Sequence, residues 1–143
     1  MQVRDVMTKQ VASVQAQDTV QKAAQLMKEH DVGSIPVCSG SNLVGIVTDR
    51  DITLRCVAQG KDTNQAPVSE AMTANPVSVS ADTDVQQAAQ IMSSKQIRRL
   101  PIVENNSLVG MVSLGDLAVE PAAKDKAGDA LKNISEPCHH HKS

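Results

Sequence analysis

Two short segments carry a hydroxyl residue and a carboxylate at a spacing that suits a nucleotide. Gly45–Asp51 contains Thr48 three residues before its aspartate, and Gly110–Asp116 contains Ser113 at the same place. A glycine lets the backbone approach a ligand closely, and a Ser or Thr at the start of a helix presents a hydroxyl and backbone amides to a phosphate. The carboxylate three residues later could accept hydrogen bonds from both ribose hydroxyls. Both segments are therefore candidates for nucleotide binding.

The same residues could instead serve the protein itself. A Ser or Thr followed three residues later by an acidic residue can form a capping box, in which each side chain accepts a hydrogen bond from the other residue's amide. Thr48 with Asp51, and Ser113 with Asp116, would then satisfy free amides at the start of a helix. The two roles are compatible, because a site without ligand could use these residues as caps. The pattern alone leaves both interpretations open.

The chain repeats itself with a period of 65 residues. Shifting the 143-residue sequence by that length aligns its two halves without a gap, and 17 residues between Asp5 and Ile52 are identical to their counterparts. Internal repeats of this kind mark a supersecondary unit that is used twice. We expect a first repeat over residues 1–62, a second over residues 66–121, and a C-terminal helix with a frayed tail over residues 122–143.

Each repeat has the hydrophobic pattern of a small unit of mixed α and β structure. Apolar residues at spacings of 0, 3, 4 and 7 from Val20 and from Val85 predict an amphipathic helix. Two β-branched runs around a turn then predict a hairpin, a second helix follows, and a short strand before the first helix completes a β-α-β-β-α order. Because about 60 residues form only a small core, we expect the two units of this α/β (α+β) protein to pack face to face about a pseudo-two-fold axis.

The composition argues against several classes of function. The 14 Lys and Arg residues nearly balance 16 Asp and Glu residues, and the chain has no Phe, Tyr or Trp. Nucleic-acid partners would favour a basic face or aromatic stacking platforms, so none is expected. No apolar run is long enough to span a membrane and the first residues lack a signal-peptide pattern, so a cytoplasmic location is expected. An enzyme is not expected, because the sequence has no nucleophile with a paired base and no phosphate-binding P-loop pattern.

Cysteine and histidine residues give weaker signals. The three cysteines lack the spacing of a disulfide framework and are expected to be free thiols, with Cys38 acting as a small hydrophobic residue in a strand. The cluster Cys138–His141 could chelate a metal, but it is terminal and has no second cluster, so no metal site is predicted. His30 is expected at the end of the first helix, where a cation suits the helix dipole.

Several repeated sequence words resemble those of the CBS-domain family. The first repeat has DVMT, DTVQKAAQLM, GSIPV and LVGIVTDRD, and the second has EAMTANPVSV, DTDVQQAAQIM, IRRLPIV and LVGMVSLGD. The resemblance covers roughly residues 2–120, and it is closest to the small stand-alone bacterial proteins made of one CBS pair. It implies a regulatory module that binds AMP, ADP, ATP or S-adenosylmethionine in clefts between the two repeats. It also implies a homodimer that requires no cofactor.

The resemblance further implies which residues form the two clefts. Each cleft would combine the Ser or Thr and the Asp of one repeat with strand residues of the other repeat. The first cleft would contain Thr48, Asp51, Asn75, Val77, Ile97, Arg98 and Arg99, with Ile46 against the adenine, and the second would contain Ser113, Asp116, Gln10, Ala12, Val32, Gly33 and Ser34.

Arg98 and Arg99 are the strongest difference between the two repeats. Their counterparts in the first repeat are Gly33 and Ser34, so the first cleft would hold two arginines and the second would hold none. An arginine can make bidentate contacts with phosphate, which predicts that the first cleft prefers phosphate-bearing ligands. Adjacent strand residues point to opposite faces, so only one of the two would aim squarely into the cleft. The alternative is a pair of exposed or ion-paired arginines.

Two functions of different classes remain open from the sequence. The Ser or Thr and the Asp that both repeats retain favour a sensor of adenine nucleotides. The lack of an aromatic ring to clamp adenine, and the lack of arginine in the second cleft, favour a ligand-free interaction module. Such a module would act through its dimer surface and an unknown protein partner.

Overall fold

The computed structural model describes residues 1–120 and 124–135, which form two compact units. Unit I consists of Gln10–Val77 and Val103–Leu108. Unit II consists of Met1–Lys9, Ser78–Ile102 and the described residues from Val109 to Ser135. The first nine residues therefore belong with the second repeat, and the tip of the second hairpin belongs with the first repeat.

Unit I contains the β-α-β-β-α order of the first repeat. Its elements are β1 (Val14–Gln15), α1 (Val20–His30), β2 (Ser34–Ser39), β3 (Asn42–Thr48) and α2 (Asp49–Ile52), which continues as a π-helical turn (Thr53–Val57). A 3-10 turn (Val68–Glu70) and β4 (Thr73–Ala74), both from the start of the second repeat, complete the unit. β1 lies parallel to β2, whereas β3 is antiparallel to both β2 and β4.

Local sequence explains where α1 begins and ends. Thr19 precedes the helix, and its side chain accepts a hydrogen bond from the Lys22 amide at 3.2 Å. Asp31 follows the helix in a left-handed conformation with φ of 53°, and its amide donates to the carbonyl of Met27. The spacing that predicts an amphipathic helix is confirmed, because the buried face consists of Val20, Ala23 and Met27.

Unit II repeats this order with additions at both ends. It contains a 3-10 turn (Val3–Asp5), β5 (Val79–Ser80), α3 (Val85–Lys95), β6 (Arg99–Glu104), β7 (Ser107–Ser113), α4 (Leu114–Ala118) and α5 (Lys124–Ser135). The tips of β6 and β7 extend into unit I, where Ser107 pairs with Asn42 of β3. In unit II, β6 lies between β5 and β7, and α5 packs against α3 and α4.

Each unit has an aliphatic core, as expected for a chain without aromatic residues. Unit I buries residues from β1, α1, β2, β3 and α2, and also from the segment around the 3-10 turn: Val14, Val20, Ala23, Met27, Ile35, Val37, Val47, Ile52, Cys56, Ala66, Val68 and Ala71. Unit II buries Val3, Ala81, Val85, Ala88, Ala89, Met92, Leu100, Ile102, Met111, Val112, Leu114, Leu117, Ala127 and Ala130.

The mixed α and β fold class and the order of elements in each repeat are confirmed. Three details differ from the sequence-based expectation. The second helix of the first repeat is α-helical only from Asp49 to Ile52 and then widens into the π-helical turn. The C-terminal helix buries Ala127 and Ala130, whereas Leu131 has 48% of its surface exposed. β4 and the two 3-10 turns have no clear hydrophobic period, so the pattern could not predict them.

Candidate functional site

The predicted hydroxyl and carboxylate pairs form capping boxes in both units. In unit I the Asp51 amide donates to Thr48 Oγ1 and the Thr48 amide donates to Asp51 Oδ2, both at 3.0 Å. In unit II the corresponding bonds between Asp116 and Ser113 measure 3.1 and 2.9 Å. Each pair therefore satisfies amides at the start of the following helix. Because this bond uses Oδ2, each carboxylate keeps Oδ1 for a second partner.

The glycine that opens each motif makes room for the chain itself. A Cβ atom on Gly45 would lie 2.5 Å from Met72 Sδ and 2.9 Å from the carbonyl oxygen of Thr73. In unit II, a Cβ atom on Gly110 would lie 3.0 Å from the carbonyl oxygen of Thr8. The close approach that the sequence predicts for a ligand is made here by the Met-Thr segment of the other repeat. Each glycine thus serves packing within its unit.

Arg55 provides the second partner of Asp51 in unit I. Its Nη2 atom lies 3.8 Å from Asp51 Oδ1, one helical turn earlier. Its Nη1 atom donates to the carbonyl oxygens of Ala71 and Met72, each at 3.1 Å. Arg55 therefore connects the predicted ribose carboxylate to the segment that leads into β4. The side chain of Asp51 is only 15% exposed, which strengthens its attraction to this guanidinium group.

In unit II the equivalent carboxylate is attracted to a cation from a different element. Burial lowers the pKa of the half-buried Arg99 guanidinium, and the Asp116 carboxylate opposes this shift. The 65-residue period places Glu120 where the first repeat has Arg55, and Ser34 where the second has Arg99. The cation beside the aspartate thus comes from the following helix in unit I and from a strand in unit II.

A cavity of about 500 Å³ lies beside Arg99 in unit II. Arg98, Arg99 and Ser113 form its polar side, and α4 and α5 supply Leu114, Gly115, Ala118, Ala127, Gly128 and Leu131. Its volume lies within the range of about 300–1,000 Å³ that is typical of small-molecule sites. Arg98 precedes β6, so the alternation of strand side chains does not apply to it. Both arginines line this cavity.

In each unit, the residues at the beginning of the second strand lie beside the Ser or Thr of the same repeat. In unit I the Asp49 amide donates to the carbonyl of Gly33 at 3.0 Å, and Ser34 pairs with Thr48 across the hairpin. In unit II the Leu114 amide donates to the carbonyl of Arg98 at 2.8 Å. The two repeats therefore build the same backbone frame, with small side chains in unit I and arginines in unit II.

The remaining predicted residues occupy loops and strands of the two units. Ile46 pairs with Thr73 between β3 and β4, and the Asn75 amide donates to the carbonyl of Val44 at 3.2 Å. Asn75 is exposed and adopts a left-handed conformation with φ of 53°. In unit I, Gln10 is exposed and Ala12, Val32 and Val77 are half-buried, and in unit II Ile97 is half-buried.

Sequence reasoning missed Arg55 and the residues that α5 contributes to the cavity. Arg55 lies four residues after Asp51, and this i,i+4 spacing of opposite charges on a helix could have identified it. The position of α5 gave no such signal. Its hydrophobic stripe predicts a helix, but a stripe does not say which element that helix packs against.

Other candidate sites carry less chemistry. Cys38 is buried, as expected for a small hydrophobic residue, and burial raises the pKa of its thiol, with a hydrogen bond to Ser13 opposing the shift. Within residues 1–120 and 124–135, no cluster of three His, Cys, Asp or Glu side chains could hold a metal ion. The Cys138–His141 cluster lies outside the described residues. No helix of the described chain has the length and apolar character needed to cross a membrane.

Comparison with known proteins identifies the family of the repeated unit. The sequence pattern of the CBS domain matches residues 3–57 and again residues 68–122. The chain is 53% identical over 133 residues to the CBS domain-containing protein YhcV of Bacillus subtilis, which covers 93% of this chain and 94% of YhcV.

Two solved structures match the fold and carry ligands. CBSX2 in complex with AMP has a TM-score of 0.70 and 28% identity, covering 80% of this chain and 91% of that one. The CBS domain pair of MJ0100, in complex with 5-methylthioadenosine and S-adenosyl-L-methionine, has a TM-score of 0.71 and 28% identity, covering 82% and 93%. Pairs of CBS domains are regulatory modules. Because two matched repeats make up most of its length, this chain belongs to the CBS-domain family and carries one such pair.

Proposed function

We propose that this protein is a non-catalytic regulatory module that binds an adenosine-containing ligand of the AMP, ADP and ATP class, with its phosphate site in unit II. The observation that carries the proposal is the cavity lined by Arg98, Arg99 and Ser113. Two guanidinium groups beside a hydroxyl supply the donors that phosphate recognition requires. A cytoplasmic location suits this role, since free thiols such as those of Cys38 and Cys56 persist in reducing compartments.

The ligands of two related structures support this ligand class. CBSX2 holds AMP, and the MJ0100 pair holds 5-methylthioadenosine and S-adenosyl-L-methionine. Adenosine is the chemical group that these three ligands share. The two arginines of unit II favour a member of the class that carries phosphate over one that carries a sulfonium or thioether group.

We assign the residues of unit II separate roles toward the ligand. Arg98, Arg99 and Ser113 would contact phosphate, and Asp116 would accept a ribose hydroxyl through Oδ1, because Oδ2 already accepts the Ser113 amide. The base would lie against aliphatic side chains, since the chain has no aromatic ring to stack on it. Ile97 is the predicted aliphatic residue that belongs to this unit.

Unit I would provide a weaker site for phosphate. It keeps Thr48 and Asp51 but has Gly33 and Ser34 where unit II has arginines. Arg55 already lies 3.8 Å from Asp51 Oδ1, so a ribose hydroxyl would compete with an existing ion pair. The other predicted residues of this unit are Gln10, Ala12, Val32, Ile46, Asn75 and Val77.

Titration calorimetry with adenosine, AMP and ATP tests the proposal. We expect affinity to rise from adenosine to AMP to ATP and to fall with added salt, because ions screen part of the attraction between phosphate and the arginines. The double variant Arg98→Ala/Arg99→Ala should lose this rise and keep weak adenosine binding. Arg50→Ala, which removes an exposed arginine of unit I, is the matched control. If the wild-type protein binds none of the three at millimolar concentration, the proposal fails.

A pair of aspartate variants separates ligand binding from capping. Asp116→Ala should weaken AMP binding about ten- to a hundredfold, because a hydrogen bond to a charged group contributes about 1.5–3 kcal/mol. Asp51→Ala removes an equivalent capping box, so both variants should lose about 0.5–2 kcal/mol of unfolding free energy. Only Asp116→Ala should cause the larger loss of AMP affinity. Wild-type AMP affinity in both variants would assign both carboxylates to capping alone.

The second candidate function is a ligand-free interaction module that forms a homodimer and binds a protein partner. The observation that favours it is the π-helical turn of unit I, where Leu54 and Val57 are 45% and 58% exposed. Two large apolar side chains exposed within one turn form a small apolar patch on the surface. Sedimentation at micromolar concentration tests the dimer, since only species of about 15 kDa would argue against it. Leu54→Ser with Val57→Ser should shift a dimer toward the monomer.

A further inference from the structure

The helix α5 supplies one wall of the cavity beside the two arginines. Ala127, Gly128 and Leu131 of this helix line the same cavity as Arg98 and Arg99. The CBS pattern ends at residue 122, so α5 lies outside the two repeats that match this pattern. The wall is therefore a feature of this chain in addition to the repeated frame.

Gly128 occupies an unfavourable place for a glycine. It is the fifth residue of the twelve in α5, where glycine is among the least favourable residues for helix stability. Gly128 is not among the positive-φ glycines, so backbone conformation does not require a glycine there. A Cβ atom at this position would meet nothing within 4 Å, so close packing does not require one either. The effect of a glycine at this position is to leave space on this side of the cavity.

Leu131 is a second residue of this wall, and its side chain is only partly covered by the protein. It carries a large apolar side chain, yet 48% of its surface is exposed at the cavity. The helix is held to unit II by small buried residues, Ala127 and Ala130, and by a hydrogen bond from Gln96 Nε2 to the carbonyl of Asn133 at 3.2 Å. A ligand in the cavity would cover the exposed part of Leu131 and so gain apolar burial.

The charged side chains of α5 that the structure describes lie away from the cavity. Lys126, Asp129 and Lys132 line a separate groove with Gln90 and Ser93 of α3. Among the residues whose side chains the structure describes, the charged ones that line the cavity are Arg98 and Arg99, and Asp116 lies close enough to attract Arg99. The cavity thus combines a positive end with an apolar wall, which fits a ligand with one anionic end and an apolar body.

We infer that α5 forms part of the ligand site and that Gly128 sets the size of the group that can lie between this helix and Arg98 and Arg99. The inference rests on the proposed function, since it concerns how the adenosine ligand fits in unit II. It adds a residue that determines specificity, on a helix that the repeated frame does not include.

Filling the wall tests the role of Gly128, with AMP as the probe in titration calorimetry. Gly128→Leu should weaken AMP binding at least tenfold, because the new side chain enters the space beside the arginines. Gly128→Ala should weaken AMP binding less than Gly128→Leu does, since its smaller side chain fills less of this space. Asp129→Leu adds the same side chain one residue away, on the groove that faces α3, and should also bind as wild type does. AMP affinity of Gly128→Leu within twofold of wild type would overturn the inference.

The fluorescence of a single tryptophan placed on α5 gives an independent test, because the chain has no Trp, Tyr or Phe of its own. In Leu131→Trp the indole would lie at the cavity, and saturating AMP should shift or quench its emission. Asp129→Trp places the same fluorophore on the other groove and should not respond. If calorimetry shows AMP binding to Leu131→Trp and its emission stays unchanged, α5 is not part of the site. If circular dichroism shows that Gly128→Leu has lost helix, the fluorescence of Leu131→Trp still tests whether α5 is part of the site.

Failure of the proposed function can be told apart from failure of this inference. If wild-type protein binds no adenosine ligand, the proposed function is wrong and the inference falls with it, before any variant is compared. If wild-type protein binds AMP, and Gly128→Leu and Asp129→Leu bind it equally well, the proposed function stands. In that case only the place of α5 in the site is refuted.

Discussion

Arg55 Nη2 lies 3.8 Å from Asp51 Oδ1, while Nη1 of the same guanidinium group donates to two backbone carbonyls that precede β4. One side chain thus joins the end of the first repeat to the beginning of the second. The second repeat has Glu120 at the equivalent position, so it cannot make this contact. The two capping boxes are alike, but only that of unit I is tied to a neighbouring segment in this way.

Removing Arg55 should destabilise the protein more than removing another exposed arginine. Arg55→Ala leaves the carbonyls of Ala71 and Met72 without this donor and should cost about 1 kcal/mol of unfolding free energy, the typical net contribution of a hydrogen bond. Arg50→Ala, on the same helix, should change stability by less than about 0.5 kcal/mol. Urea unfolding would show a lower midpoint for Arg55→Ala with an unchanged slope. Equal midpoints for the two variants would contradict this role.

Adding one methyl group at Gly45 should have a larger effect than its size suggests. The Cβ atom of Gly45→Ala would meet the carbonyl oxygen of Thr73 at 2.9 Å, and backbone cannot move away as a flexible side chain can. We expect a loss of about 1–3 kcal/mol, as in other overpacked sites. Gly128→Ala is the control, since its Cβ meets open space and the change should raise stability. A Gly45→Ala protein that melts at the wild-type temperature would refute the close packing.

Acid should remove a stabilising contribution of Asp18. Its carboxylate accepts the Gln15 amide at 2.8 Å and lies 3.3 Å from Lys22 Nζ, and the backbone hydrogen bond is the main cause that lowers its pKa below the ordinary value of 3.8. The unfolded chain therefore binds the proton first as pH falls, so this contribution is present above pH 3.8 and is lost as pH drops through the lower folded value. Between pH 6 and pH 3, wild type should lose more unfolding free energy than Asp18→Asn. Equal losses would show that Asp18 contributes nothing in its charged form.

The buried thiols should react slowly in the native protein. Burial raises the pKa of Cys38, which reduces the reactive thiolate fraction, and Cys56 is only 1% exposed. In a Cys138→Ser background, a thiol reagent at pH 8 should modify the native protein at least about a hundredfold more slowly than the chain in urea, because reaction requires local opening. One equivalent of thiol that reacts at once without denaturant would contradict the burial of one of these residues.

The first repeat should not fold by itself. Val68 and Ala71 belong to the core of unit I, although they lie beyond residue 62. In a fragment that ends at residue 62, Gly45 also lacks the Met72 side chain that packs against it. A fragment of residues 1–62 should therefore show no cooperative thermal transition by circular dichroism, whereas the full chain should show one. A cooperative melt of the monomeric fragment would refute this dependence.

Sequence patterns predicted the features that depend on residues close together in the sequence. The stripes of α1 and α3 and the two capping boxes involve residues within one or two helical turns, so the local sequence is sufficient for them. The contact of Arg55 with Met72 spans 17 residues, and the packing of Gly110 on Thr8 spans about a hundred. Such contacts depend on how the chain is routed, which a local pattern does not contain. The cavity escaped prediction for the same reason, since it requires α5 to pack against α3 and α4.

The exchange of leading segments between the repeats has a consequence for synthesis on the ribosome. Val3 donates its amide to the carbonyl of Thr83, and Thr8 exchanges hydrogen bonds with Met111, so residues 3–8 must wait for partners that are made much later. Unit I likewise lacks its last segment until Leu108 has been made. A nascent chain that ends within the second repeat therefore exposes apolar residues, which promotes aggregation. Unit I is complete only after Leu108 has been made and unit II only after Met111, so neither can fold fully before most of the second repeat has been synthesised.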